Sequence, residues 1–277
     1  MNRASSGQRR MVIITLAIAG VWAANALKLN PIDLVTNNTS IIYDFFSRAL
    51  SPAMDYESDV PLGTKPLIVK TLSAAWQTIL FAAAAMGISL IGGVLFGFLA
   101  SSSLMIESAR GTVKYITVTL YGLVRFLMAL IRSIHELLWA VLFLVAFGIS
   151  ELSAVIALAL PCTGILAKIF SELIDETSRS AAHAIRGGGG TPIQVYFFVL
   201  LPQTIPDLLA YSFYRFECLL RSSAVLGFFG YPTLGFYIAA SFENLFYGEV
   251  WCYLYTLFLL VAIVDIWSNQ IRAELKL

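Results

Sequence analysis

The chain has 277 residues, of which 58% are hydrophobic and only 13% charged, with a formal net charge of +1. Soluble domains carry roughly 25% charged residues, so this chain has too little polar surface to dissolve, and a lipid bilayer is the solvent that remains. The balanced charge, with no basic cluster interleaved with aromatics, argues against nucleic acid as a partner.

The first apolar run, Met11–Lys28, follows Arg9 and Arg10. Ala24-Asn25-Ala26 has the small-residue pattern of a cleavage site, so a removed signal segment competes with a first transmembrane helix; the expectation is the helix. A polar stretch from Leu29 to Lys65 follows, carrying Asp33, Asp44, Asp55, Glu57 and Asp59. Within it, Ile41–Leu50 places apolar residues at helical spacing and suits the membrane surface. Asn37 and Asn38 open two sequons whose meaning depends on the host.

A crossing needs about 20 apolar residues. The second span falls in Leu67–Ala100, longer than the bilayer requires and therefore tilted or protruding. Its Ala82–Ala85 run, Gly93 and Gly97 form a small-residue face for close helix approach, within one subunit or between two. Glu107, Arg110 and Lys114 then break the pattern. Tyr115–Gly148, interrupted by Arg132-Ser133-Ile134-His135-Glu136, reads as one kinked crossing with its first half near the surface. The fourth span is Leu152–Ile174, bent at Pro161 and Gly164. After the polar segment Asp175–Thr191 come a fifth span, Val195–Phe229, and a sixth, Val250–Ile271.

The expected fold is thus an all-α membrane protein of about six transmembrane helices. Residues 1–66 form an N-terminal span with an extracytoplasmic stretch, and 67–277 form the core. Arg3, Arg9 and Arg10 before the first span, with Arg272 and Lys276 after the last, put both termini in the cytoplasm; Lys65 and Lys70 dilute the bias. The Arg132–Glu136 break has no counterpart in the other half, which argues against an inverted-repeat secondary transporter.

Chemistry-bearing residues are sparse. Cys162, Cys218 and Cys252 sit in apolar stretches without disulfide or CxxC spacing and read as buried thiols. His135 and His183 lack ligand-like spacing, so neither a metal site nor a catalytic constellation is expected. Gly187–Gly190 lacks the lysine of a phosphate loop, and no GxxxxGK[ST] motif occurs. Charges inside spans are costly and normally face a partner or a wet cavity. Arg132 with Glu136, and Glu217 with Arg221, are spaced to pair on one helix face, as structural pairs or as part of a pathway. Arg215 then stays unpaired near Ser222 and Ser223, and guanidinium forks with hydroxyls suit a tetrahedral oxyanion. The candidate pathway residues are Arg132, Glu136, Arg215, Glu217, Arg221 and Ser222.

Ala182-His183-Ala184-Ile185-Arg186 followed by glycines and Thr191-Pro192 reads as a short helix with a glycine stop and a proline start to the next helix. It is either an ordinary loop or a helix that lies in a groove of a partner. This segment resembles the EAA loop of ABC importer permeases. The triplet is His183-Ala184-Ile185, the glycine Gly189, and the tail Val199-Leu200-Leu201-Pro202, all at the family's spacing; His183 stands where the family is acidic. Arg132–Glu136, Leu201-Pro202-Gln203, and Tyr214-Arg215-Phe216-Glu217 with Arg221-Ser222 extend the likeness to the phosphonate-import permeases. Gly230-Tyr231-Pro232-Thr233-Leu234-Gly235 departs from their glycine-rich turn.

The resemblance implies a type I ABC importer permease fold and transport of a phosphonate or related phosphorus oxyanion across a bacterial inner membrane. It further implies a homodimeric pathway, two ATP-binding subunits and an extracytoplasmic substrate-binding protein. A coupling helix at about 178–189 would dock on each ATPase through His183, Ala184, Ile185, Arg186 and Gly189. ATP and Mg2+ would be held by the ATPase subunits, no cofactor by this chain, and the chain would catalyse no bond chemistry. An ABC permease for another small solute, such as an amino acid, and a stand-alone secondary transporter are the alternatives.

Overall fold

The computed structural model describes residues 6–27, 39–61, 63–102 and 111–275. Arg3, Asp33, Asn37, Asn38, Glu107, Arg110 and Lys276, which entered the sequence reading, lie outside them. The chain divides into two compact units, Met1–Ser51 and Pro52–Leu277. The first holds α1 (Ser6–Ala26), whose apolar part is Arg10–Ala26, and α2 (Thr39–Ser47), which falls in the amphipathic stretch.

The second unit contains α3 (Leu67–Leu99), α4 (Thr112–Ser133), α5 (Glu136–Phe147), α6 (Glu151–Glu176) and α7 (Ser180–Gly187). It continues with α8 (Pro192–Val195), a π turn (Tyr196–Leu200), α9 (Leu201–Val225), a 3-10 turn (Leu226–Phe229), α10 (Leu234–Glu243) and α11 (Tyr247–Leu275). Among the described residues no strand occurs, and five helices are long and apolar enough to cross a membrane. Many large apolar side chains remain exposed on their outer faces, among them Ile91, Phe126, Leu259 and Ile263, as lipid contact requires.

The core is built on α3 and α6, the most extensively packed pair. The buried residues of α3, including Thr71, Ala74, Thr78, Ala82, Ala85, Ser89, Gly93 and Gly97, recur at three- and four-residue spacing and form one face. A Cβ on Gly93 would sit 2.7 Å from Leu166 Cβ, and one on Gly97 3.0 Å from Phe170 Cβ. The small-residue face of the sequence is therefore a contact within the subunit. Thr71, Thr78 and Ser89 donate to the carbonyls four residues earlier. Such bonds satisfy a hydroxyl where water is absent. Ser89 Oγ also reaches Ala159 O on α6 at 3.1 Å.

The kinked crossing is α4 and α5 together, broken where Ile134 and His135 turn extended. Arg125 stands at the C-terminal end of α6, Arg132 beside Gly164 at its middle, and α5 against its first half. The second half of α4 plus α5 thus runs antiparallel to α6, and the first half of α4 projects past α6's end. Pro161 is accommodated within a continuous α6.

The proline-rich start of the fifth span explains its π turn. Pro202 has no N–H to donate, and the Leu201 N–H bonds five residues back to Tyr196 O. At the far end, Gly227 and Gly235 cross so closely that a Cβ on either would lie 2.0 Å from backbone atoms. Thr78 Oγ1 accepts from Leu234 N–H at 3.2 Å, and Thr233 Oγ1 donates to Ala224 O at 3.1 Å, pinning this turn to α3 and α9. The departure at Gly230–Gly235 is therefore a sharp turn into α10, a helix without a strong sequence signal.

Candidate functional site

The α9 segment from Tyr214 to Ser223 carries the densest polar chemistry inside the apolar bundle. Arg215 Nη2 lies 3.8 Å from Glu136 Oε2, with side chains 15% and 21% exposed. Ser222 Oγ donates to Glu136 Oε1 and also to Cys218 O. Glu136 is the first residue of α5, directly after the break, and His135 caps that helix by accepting from Leu137 N–H at 3.3 Å. The break turns one carboxylate out of the α4–α5 crossing and into contact with α9.

This pairing corrects two expectations. Arg132 and Glu136 do not meet, because the backbone between them is extended instead of helical; Arg132 Nε donates to Met128 O at 3.2 Å. Arg215 is not left unpaired, since Glu136 answers its charge. Its Nε–H is nevertheless buried without an acceptor among the described residues. Ser223 faces away from this cluster, donating to Thr78 O at 2.9 Å.

A second cluster lies on the side of α9 that faces α11. Glu217 Oε1 pairs with Arg272 Nη2 at 3.0 Å, with side chains 8% and 23% exposed. Arg272 is held by Asn269 Oδ1 at 2.8 Å and Ser268 O at 3.4 Å. Arg221 does not reach Glu217; it is exposed, with Nη2 3.6 Å from Cys218 Sγ. Glu217 and Arg221 line a groove of about 510 Å³ with Leu257, Phe258 and Asp265 of α11. The sequence alone treated Arg272 only as an orientation marker. Its signal was the polar stripe Asp265, Ser268, Asn269, Arg272 at helical spacing on an otherwise apolar helix.

The surface helix α7 packs against α8 and the π turn that follows it. Ala182 is buried in a cluster with Ile174, Val195, Tyr196, Val199 and Leu200. His183, Ala184 and Ile185 are exposed in succession, and Arg186 is half-buried. Gly189, at φ +87°, takes the left-handed conformation that ends a helix. Thr191 and Gln194 then cap the next helix reciprocally: Thr191 N–H donates to Gln194 Oε1 at 2.8 Å, and Gln194 N–H to Thr191 Oγ1 at 3.3 Å. The result is a surface helix anchored by its inner face at Ala182, with an exposed outward edge at His183, Ala184 and Ile185.

Residues 93–275 match the family described as Binding-protein-dependent transport system inner membrane component. The chain belongs to that family. This permease is 32% identical over 186 residues to the phosphite transport system permease protein PtxC of Stutzerimonas stutzeri, covering 67% of each chain. It is 27% identical over 249 residues to the phosphate-import permease protein PhnE of Mycolicibacterium smegmatis, covering 90% of this chain and 43% of that one. The matched region therefore spans between less than half and about two thirds of these relatives. In fold the permease is similar to the inward-facing MetNI methionine ABC transporter, with a TM-score of 0.63 at 20% identity over 76% of this chain and 99% of that chain. The family description makes the permease an inner membrane component of a binding-protein-dependent transport system.

Proposed function

We propose that two copies of this permease form the pathway of an ATP-driven importer for a phosphorus oxyanion, with phosphite, phosphate and phosphonates as the candidate cargo. Two ATPase subunits dock against α7 through His183, Ala184, Ile185, Arg186 and Gly189, and bind the ATP and Mg2+; a soluble protein delivers the anion on the opposite side. Both termini face the cytoplasm. The chain itself makes and breaks no bonds.

The observation that carries this reading is α7, a short helix anchored by a buried face and presenting three successive exposed residues at the family's docking position. Binding of ATP draws the ATPases together and moves the two α7 helices, shifting the pathway between outward-open and inward-open states. The cargo class rests on the phosphite and phosphate permeases named above. It is supported by Arg215, whose buried Nε–H is unused and whose charge is balanced by Glu136. An arriving oxyanion competes with Glu136 for the guanidinium, and such contacts need only be weak for the anion to leave. Arg132, Glu217, Arg221 and Ser222 complete the proposed pathway lining.

The test is uptake by proteoliposomes holding the permease with its ATPase and binding protein. Radiolabelled phosphite should accumulate only with ATP, and unlabelled phosphate or methylphosphonate should compete. ATP-dependent uptake of an amino acid instead would overturn the cargo; co-purification with no ATPase would overturn the class.

A further inference from the structure

Asp175, in the last turn of α6, ties the end of its own helix to the residues just beyond α3 and to the middle of α4. Its Oδ1 accepts from Ser101 Oγ at 2.9 Å, and its Oδ2 from Ser102 Oγ at 2.9 Å and Ser102 N–H at 3.0 Å. Ser101 is fully buried just beyond α3. From α4, Arg125 Nη2 approaches Asp175 Oδ2 at 3.9 Å while its Nε donates to Ala100 O at 3.3 Å. Asp175 is 17% exposed and Arg125 40%. The ion pair itself therefore contributes little, and the three hydrogen bonds to a charged acceptor hold the joint.

Only Thr177, Ser178 and Arg179 separate α6 from α7. A three-residue link spans at most about 10 Å when extended, and this one is fastened at both ends. Thr177 Oγ1 lies 2.9 Å from Thr204 Oγ1 on α9, and Arg179 Nη2 returns to Asp175 O at 3.5 Å. A displacement of α7 therefore pulls on the end of α6 without slack, and Asp175 passes that pull to α3 and α4.

We infer that Asp175 is the positioning residue that makes α3, α4 and α6 follow α7 as one block. Its carboxylate converts movement of the docking helix into movement of the pathway helices. The inference rests on the docking role proposed for α7. A carboxylate with two acceptor oxygens is required, because one oxygen holds Ser101 and the other holds Ser102. Asparagine preserves the shape but offers a single acceptor and no charge.

The experiment uses the complete transporter in proteoliposomes and compares wild type with Asp175→Asn and Asp175→Glu. Asp175→Asn should keep ATP hydrolysis while phosphite uptake per ATP falls about tenfold; Asp175→Glu, which retains both acceptors, should recover part of the ratio. Hydrolysis and uptake falling by the same factor, or an unchanged ratio, overturns the inference. A second readout is independent of the cargo. Nitroxide labels at Gly187→Cys on α7 and Tyr115→Cys on α4, with the three native cysteines replaced, should keep a constant separation when ATP binds the wild-type complex. In Asp175→Asn the separation should change by about 1–2 Å or more; a constant separation there overturns the inference. A wild-type complex that hydrolyses ATP without taking up phosphite rejects only the cargo assignment, and the label distances still decide the role of Asp175.

Discussion

Glu217 on α9 and Arg272 on α11 form a 3.0 Å ion pair across 55 positions of sequence, inside a bundle whose other contacts are mostly apolar. The pair fastens the last helix to the one that carries the central cluster. Removing one partner leaves a buried charge without compensation, a loss of about 3–5 kcal/mol. Glu217→Ala alone should therefore lower the thermal midpoint of the detergent-solubilised permease more than the double variant Glu217→Ala/Arg272→Ala does. A double-mutant cycle on the unfolding midpoint checks this, and simple additivity would dismiss the pair as a brace.

The Glu136–Arg215 contact makes an asymmetric prediction. Glu136→Gln keeps an acceptor for Ser222 but strips the countercharge from Arg215, which should hold an oxyanion longer and release it more slowly. Steady-state uptake should drop about tenfold with the apparent affinity for anion unchanged or tightened. Ser222→Ala removes one hydrogen bond, worth about 1 kcal/mol, and should have a smaller effect. Uptake kinetics at several phosphite concentrations separate the two; a weakened affinity in Glu136→Gln would contradict the proposed competition.

Close approach of α3 and α6 predicts a contrast between glycines. Gly93→Ala drives a Cβ into Leu166 and should cost about 1–3 kcal/mol. Gly122→Ala, on a helix face with nothing within 4 Å, should be neutral or stabilising by up to about 1 kcal/mol through helix propensity. Thermal unfolding of both variants in the same detergent is sufficient to compare them.

The docking surface proposed for α7 is separable from its buried anchor. Ile185 is 38% exposed, so Ile185→Asp should abolish co-purification with the ATPase while leaving the thermal midpoint unchanged. Ala182→Asp, at the buried face, should instead lower the midpoint. Loss of stability in both would indicate that α7 has no free edge.

Most of the bundle was legible in the sequence because lipid imposes a simple rule: long apolar runs must be helices, since no water is present to satisfy open backbone. The spans at Leu67–Ala100, Leu152–Ile174, Val195–Phe229 and Val250–Ile271 correspond to α3, α6, α9 with its preceding turns, and α11. The crossing broken at Arg132–Glu136 is α4 and α5. The turn-rich helix α10 was not legible, because ten residues after a Pro-Thr turn carry no span-length signal. Its place is fixed by Thr233, which bonds back to Ala224 O, and by Thr78, which accepts from Leu234 N–H across 156 positions of sequence.

What the sequence by itself determined was the solvent, the main spans and the short glycine-stopped helix α7, all set by local composition and spacing along the chain. Which charge answers which was decided only by tertiary structure. Glu136 looked paired with Arg132 at four-residue spacing, yet the extended backbone at Ile134–His135 turns it to Arg215, and Glu217 passes over nearby Arg221 for Arg272. Electrostatic energy depends on distance in space and on burial. Neither is a property of sequence separation once a helix is broken or a second helix packs closer than the next turn.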